Sequence, residues 1–218
     1  GVNLELLAPA GGFEQLHAAL SFGADAVYLA AERFGMRARA ANFAMSQLPD
    51  AVEAAHSCGA KVYVTCNVMM SQGDLAQLPP YLEAVDASGA DALIVGDLGA
   101  FALARKHAPS CALHVSTQAS VANSEAAKMW HSLGASRIVC AREMTLEDIV
   151  HMREEIPDGL QIEAFVHGAQ CMAVSGRCLI SSYLTERSGN KGECTQPCRW
   201  NYSLEEEKRP GEHFPVDE

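Results

Sequence analysis

Aromatic residues are scarce in this chain, 6% of 218, and no apolar run is long enough to span a membrane. Positive charge is scarce as well. Lysine and arginine number 16 against 27 aspartates and glutamates, a formal charge of −11. Such a surface repels a phosphate backbone unless its bases are gathered in one place, which disfavours a bare nucleic-acid-binding module. Several catalytic signatures are missing too. There is no His-Glu-x-x-His zinc motif and no Gly-x-Ser-x-Gly elbow, and Pro9-Ala10-Gly11-Gly12 lacks the spacing of a dinucleotide fingerprint. No secretory signal opens the sequence, which sets the expectation of a cytoplasmic, reducing compartment in which disulfides do not form. The chain starts at Gly1 and closes on a polar, patternless tail, 204–218, so both ends read as boundaries cut from a longer protein.

Apolar residues make up 49% of the chain, enough for one substantial core. Short β-branched runs recur at 4–8, 26–29, 61–65, 92–95, 112–115, 137–140 and 161–166. Their lack of strict alternation fits strands buried on both faces of a parallel sheet. Between them lie helical patterns, such as Leu75, Leu78, Leu82 and Val85, or Ala126, Met129, Trp130 and Leu133. Gly-Ala pairs at 23, 59, 89 and 134 end four of these helices, where glycine can take the left-handed conformation. Pro49 suits a first helical turn, and Thr145 followed by acids marks an N-cap. Strand and helix alternating in this way predict an α/β fold of TIM-barrel type, with the eighth unit irregular or outside the chain. An open doubly wound sheet is the alternative. The expected organisation is a barrel-like domain over 1–168, a cysteine-rich segment over 169–203 packed at the barrel mouth, and the tail.

In a barrel the site gathers at the carboxyl ends of the strands. The candidates there for binding a small anionic molecule are Arg37, Arg39, Asn42, Asn67, Asp97 and Gln118. An arginine after the second strand would hold a carboxylate by two parallel hydrogen bonds. Glu143 and His167, at predicted strand ends facing the same mouth, are candidates for proton transfer. Glu163 is more simply a buried carboxylate paired with an arginine.

Of eight cysteines, Cys58, Cys66, Cys111 and Cys140 are scattered through apolar segments and read as small buried hydrophobes. The other four, Cys171, Cys178, Cys194 and Cys198, fall within 28 residues in the pattern C-x6-C-x15-C-x3-C. Four thiolates hold either tetrahedral zinc or a [4Fe–4S] cluster. Zinc ribbons favour paired C-x2-C knuckles, which this segment lacks, so the spacing favours the cluster and leaves zinc as the alternative. Arg177, Lys191 and Arg199 stand close enough in sequence to offset its negative charge.

The stretch from Glu163 through Phe165, His167, Gly168 and Ala169 to Cys171, continuing to Ser175-Gly176-Arg177-Cys178, closely resembles the signature of peptidase family U32, the collagenase-like proteases. Similar matches run from Glu5 to Gly11, from Gly23 to Tyr28, from Arg39 to Phe43 and from Gly192 to Trp200. The resemblance implies relatives that are iron–sulfur proteins hydroxylating a wobble uridine of transfer RNA, a cytidine of ribosomal RNA, or a quinone precursor. It implies that Cys171, Cys178, Cys194 and Cys198 hold a [4Fe–4S] cluster, and it brings in prephenate as a co-substrate. RNA contact would then fall to a local basic patch, to a missing carboxyl-terminal region or to a partner. Hydrolysis, as the family label has it, needs a free nucleophile, and a non-catalytic iron–sulfur scaffold is a third reading.

Overall fold

The structure is a computed structural model, and it describes residues 4–36, 42–168, 171–174 and 176–215. Seven strands, β1 (Leu7–Pro9), β2 (Ala26–Ala30), β3 (Lys61–Cys66), β4 (Ala92–Val95), β5 (Ala112–Val115), β6 (Arg137–Val139) and β7 (Gln161–Glu163), pair in sequence order, all parallel. Each gap between neighbours carries one principal helix: α1 (Phe13–Ser21), α2 (Leu48–Ser57), α3 (Gln72–Ala87), α4 (Leu98–His107), α5 (Ser124–Ser132) and α6 (Leu146–Glu155). The sheet curls into a TIM-barrel-like half-barrel, as the alternation predicts. The doubly wound alternative is ruled out, because there the strand order reverses at a switch point and here it runs unbroken from β1 to β7.

Local signals place the helix ends. The four Gly-Ala glycines, at 23, 59, 89 and 134, all have positive φ, from 76° to 110°. Pro49 sits in the first turn of α2, and the Thr145 hydroxyl accepts from the Asp148 amide at the start of α6. Ser71 does the same for α3 through Asp74.

Alternation along the strands separates two cores. Val27, Leu29, Val62, Val64, Leu93, Val95, Leu113, Val115 and Ile138 face the helices, packing with Leu16, Leu48, Leu78, Leu82 and Phe101. The inner face is small and polar by comparison. Ala26, Tyr63, Ala92 and Ile94 cluster there with Leu7 and Tyr28, and the alanines leave room for tyrosine and for Arg137.

The outer strands are shorter than the sequence suggests. β1 begins at Leu7 rather than Leu4, and β7 ends at Glu163 rather than Val166. Each is an edge with one neighbour, so the outermost residues are left to solvent: Leu4 is 86% exposed and Val166 90%, while the Leu6 carbonyl still accepts from the Asp25 and Ala26 amides. The Leu6 amide turns instead to Asp25 Oδ2 at 2.8 Å. After β7 come a short helix, α7 (Ile180–Thr185), and two single 3-10 turns at Gly189–Lys191 and Pro197–Arg199. The stretch expected as a patternless tail instead contributes to a two-stranded antiparallel hairpin, β8 (Ser203–Glu205) with β9 (His213–Pro215), because Leu204 and Phe214 stand opposite each other.

Candidate functional site

The loop after β2 is drawn over the end of β3. Phe34 takes the left-handed conformation, φ 64°, which is uncommon for an aromatic residue. Its carbonyl accepts from the Asn67 and Val68 amides at 2.9 and 3.2 Å, and its ring meets Tyr81 edge-on. Asn67 completes the junction. Its Oδ1 accepts from the Met36 amide at 3.1 Å and its Nδ2 donates to Ser116 Oγ at 3.2 Å. Ser116 Oγ in turn accepts from the Gln118 amide at 3.2 Å, so a chain of polar contacts runs from β3 past β5.

The cysteine-rich segment seats on this rim through glycines. A Cβ on Gly192 would lie 2.7 Å from the Gly35 carbonyl oxygen, and one on Gly176 the same distance from that of Gln118. Both glycines also have positive φ, 82° and 76°, so no side chain fits either position. The Met69 amide donates to the Asn190 carbonyl at 2.9 Å. Lys191 pairs with Asp74, and this hydrogen bond, helped by Ser71, holds the Asp74 carboxyl down at about 2.

Between the rim and the segment lies a cavity of about 380 Å³. Asn67, Val68 and Met69 line it from β3, Gly96, Asp97 and Leu98 from β4, and Gln118 and Ala119 from β5. Gly176, Arg177 and Asn190 of the segment, with Trp130, complete it. Asn67, Asp97 and Gln118 of the expected binding residues are therefore brought together. The Asp97 carboxylate is partly committed, since Oδ1 accepts from the Ala100 amide at 3.0 Å and caps α4. Gln118 Oε1 is shielded from water where Gly176 packs against it, and it has no hydrogen-bond partner among the described residues. Arg177 and Asn190 also line the cavity, though the sequence did not single them out for it; the signal for them was that the segment would sit at the mouth.

Glu143 and His167 are both exposed, and neither lines the cavity. Asn42 is half-buried and also lies outside it, while Arg37 and Arg39 fall outside the described residues. Glu163 is paired with Arg137 at 3.2 Å, as its simpler reading had it.

The four clustered thiols have the donor chemistry for a [4Fe–4S] cluster or for zinc. Gly189 lies beside Cys194, and the Gln196 amide donates to Cys194 Sγ at 3.3 Å, the kind of contact that stabilises a thiolate. The positions described do not yet converge: among the described residues no three histidine, cysteine or acidic side chains are placed to share a metal ion. Cys171, Cys194 and Cys198 are exposed and Cys178 is half-buried. Cys66, Cys111 and Cys140 are buried as expected, with burial raising their thiols to about 12, 12 and 11, while Cys58 is exposed.

A parallel half-barrel with a cavity at the carboxyl ends of its strands, covered by a cysteine-rich segment, defines the class. The chain belongs to peptidase family U32, whose family model matches residues 11–217. It is 41% identical over 204 residues to tRNA hydroxylation protein P of Escherichia coli, covering 94% of this chain and 45% of that protein. It is 38% identical over 208 residues to the 23S rRNA 5-hydroxycytidine C2501 synthase of Escherichia coli, covering 94% and 31%. Among solved structures it is similar to the U32 peptidase Mk0906, with a TM-score of 0.62 and 18% identity over 75% of this chain and 69% of the other, a likeness of fold. The chain thus spans less than half the length of those two curated relatives.

Proposed function

We propose that this chain is the barrel portion of a protein that hydroxylates a pyrimidine base of RNA, most specifically a transfer-RNA uridine, and that Cys171, Cys178, Cys194 and Cys198 hold an iron–sulfur cluster. The observation that carries the reading is the 41% identity to a tRNA hydroxylation protein across 94% of the chain. The second relative is named for hydroxycytidine in ribosomal RNA, which supports a single nucleobase as the common substrate.

The electrostatics are consistent with this. The chain as a whole is strongly acidic, but residues 169–203 carry four basic residues against two acidic ones, and Arg177 opens onto the cavity. A duplex would be repelled by the rest of the surface, whereas one unstacked nucleotide needs only this local patch. The bound cluster would supply electron transfer beside the cavity. The chain's own residues do the rest: Asn67 and Ser116 fix the rim, Gly176 and Gly192 seat the segment, and the segment shields the cavity from water. The relatives' names do not point to prephenate, and it forms no part of this reading. Among the described residues no helix is long and apolar enough to cross a membrane.

Hydrolysis is the weaker reading. His167 and Cys171 are the base and nucleophile nearest in sequence within the signature, and both are exposed without a contact joining them. The test has two arms. Protein purified without oxygen and reconstituted with iron and sulfide should show visible sulfur-to-iron absorption and about four irons per chain, lost when Cys178 becomes alanine. RNA from cells lacking the natural protein should lack one hydroxylated pyrimidine nucleoside. Stoichiometric zinc without such absorption, or an unchanged nucleoside profile, overturns the proposal.

A further inference from the structure

Three side chains that line the cavity at the barrel mouth have bonding capacity that the protein does not use. Asn190 is only 7% exposed and its carbonyl takes the Met69 amide, yet its side-chain amide makes no hydrogen bond among the described residues. Asp97 spends Oδ1 on the cap of α4 and leaves Oδ2 unbonded. Neither the Asn190 amide nor Asp97 Oδ2 is among the shielded polar atoms, so both are open to a molecule the size of water. Arg177 forms no ion pair, with Asp97 or with any other acid among the described residues. A carboxylate and a guanidinium thus line one small cavity without neutralising each other. Groups held in this way favour a ligand that carries a hydroxyl next to an anion.

We propose that this cavity takes one ribose of RNA with its 3′-phosphate, Asp97 and Asn190 reading the 2′-hydroxyl and Arg177 holding the phosphate. This deepens the RNA reading above and rests on it. The 2′-hydroxyl is both a donor and an acceptor, and it is the group that distinguishes RNA from DNA. Asp97 Oδ2 accepts its proton, while Asn190 Nδ2 donates to its oxygen. The 3′-phosphate is carried on the adjacent ring carbon, so one sugar brings a donor to the carboxylate and an anion to the guanidinium together. Selection comes from rejection as well as from contact. A deoxyribose offers Asp97 no donor and still brings a phosphate towards its negative charge. A cavity of about 380 Å³ is near the lower end of ligand pockets and suits one nucleotide rather than a run of them.

The test is equilibrium binding of two short oligouridine strands to the whole chain, read by fluorescence anisotropy. One strand carries ribose throughout. The other carries 2′-fluororibose, whose fluorine is close to the hydroxyl in size and keeps the sugar pucker but cannot donate. The unaltered protein should bind the ribose strand about tenfold tighter, the effect of one hydrogen bond to a charged acceptor. Asp97→Asn keeps the helix cap, since asparagine caps as well as aspartate, and should bring the two strands within about twofold of each other. Arg177→Ala should weaken both strands alike, lower the salt dependence of binding by roughly one counterion and leave their ratio unchanged. Equal binding of the two strands by the unaltered protein overturns the proposal without needing any variant and leaves the RNA reading standing. A tenfold ratio that persists in Asp97→Asn also overturns it. Failure to bind either strand overturns the RNA reading as well.

Discussion

Arg137 Nη1 donates to Glu5 Oε1 at 2.7 Å, across 132 residues of sequence and across the interior of the half-barrel. Glu5 precedes β1 and Arg137 opens β6, so the pair ties the two sides of a sheet that β1 and β7 leave open. The Tyr63 hydroxyl donates to the same Glu5 oxygen at 2.8 Å, Glu163 Oε2 accepts from Arg137 Nη1, and the guanidinium lies over the Tyr63 ring, 5.1 Å from its centroid. The Arg137 side chain is 7% exposed and that of Glu5 25%. A barrel interior is usually filled by branched aliphatic side chains in layers. Here an ionic layer lines it, and removing Arg137 leaves Glu163 without its ion-pair partner and Glu5 with only the half-exposed Lys61, 3.9 Å away.

Arg137→Met should therefore destabilise the fold by about 3 kcal/mol, in the range for breaking a buried ion pair from one side. Urea unfolding monitored by circular dichroism measures it. Adding Glu5→Gln to Arg137→Met should recover part of the loss, because one stranded charge is then removed. A double variant no more stable than Arg137→Met would mean that the ion pair does not hold the sides together.

The same layer predicts how stability depends on pH. Burial, and then the Arg137 charge, push the His114 ring from 6.5 down to about 3. The unfolded chain thus takes up a proton on this histidine below about pH 6.5 while the folded one does not. Stability from this residue is complete above 6.5 and is lost as pH falls towards 3, by about 2 kcal/mol at pH 5. Glu5 adds to the loss at lower pH: burial raises its carboxyl, but the hydrogen bonds from Arg137 and Tyr63 outweigh that and hold it below its usual range. Glu163 acts in the opposite sense, since burial raises it against the pull of Arg137. In His114→Phe, which keeps the edge-on contact with Tyr63, the decline between pH 6.5 and 5 should flatten. An unaltered slope would show that His114 is not held neutral.

The seat of the cysteine-rich segment is testable at one position. Gly192→Ala places a Cβ against the Gly35 carbonyl and Met36 backbone at a φ of 82°, where neither side can yield cheaply. Strain of about 2 kcal/mol should favour the unseated segment and speed limited proteolysis within 176–200 by roughly thirtyfold, with the barrel's own thermal midpoint little changed. Cleavage at the original rate would mean that the segment is held by other contacts.

The architecture was legible because it rests on repeated local signals. Apolar strands buried on both faces, four Gly-Ala helix ends and the Thr145 cap each declare themselves within a few residues. The site was legible in part. Asn67, Asp97 and Gln118 stand directly after strands, and the barrel rule sends them to one mouth. What the sequence hides is commitment. The Asn67 amide is bonded at both ends and Asp97 is engaged by a helix cap, and these bonds depend on loops that meet only in three dimensions. Glu143 and His167 carry suitable chemistry, but position after a strand fixes only the end of the barrel, not whether a side chain lines the cavity. The hairpin of β8 and β9 was missed because its strands are three residues each and polar on one face.

Asn67 and Ser116 should be energetically coupled. Asn67 Nδ2 donates to Ser116 Oγ, and that oxygen also accepts from the Gln118 amide, so each side chain helps to place the cavity wall through the other. Either alanine variant should cost about 1–2 kcal/mol, from loss of part-buried hydrogen bonds. The double variant should cost less than the sum by about 0.5–1 kcal/mol, because the shared bond can be broken only once. Asn67→Ala should cost the more of the two, since it also strands the Met36 amide. Denaturant unfolding of the four proteins closes the cycle. Strict additivity would show that the bond between them contributes nothing, and that Gln118 is placed by its own turn and by Gly176 alone.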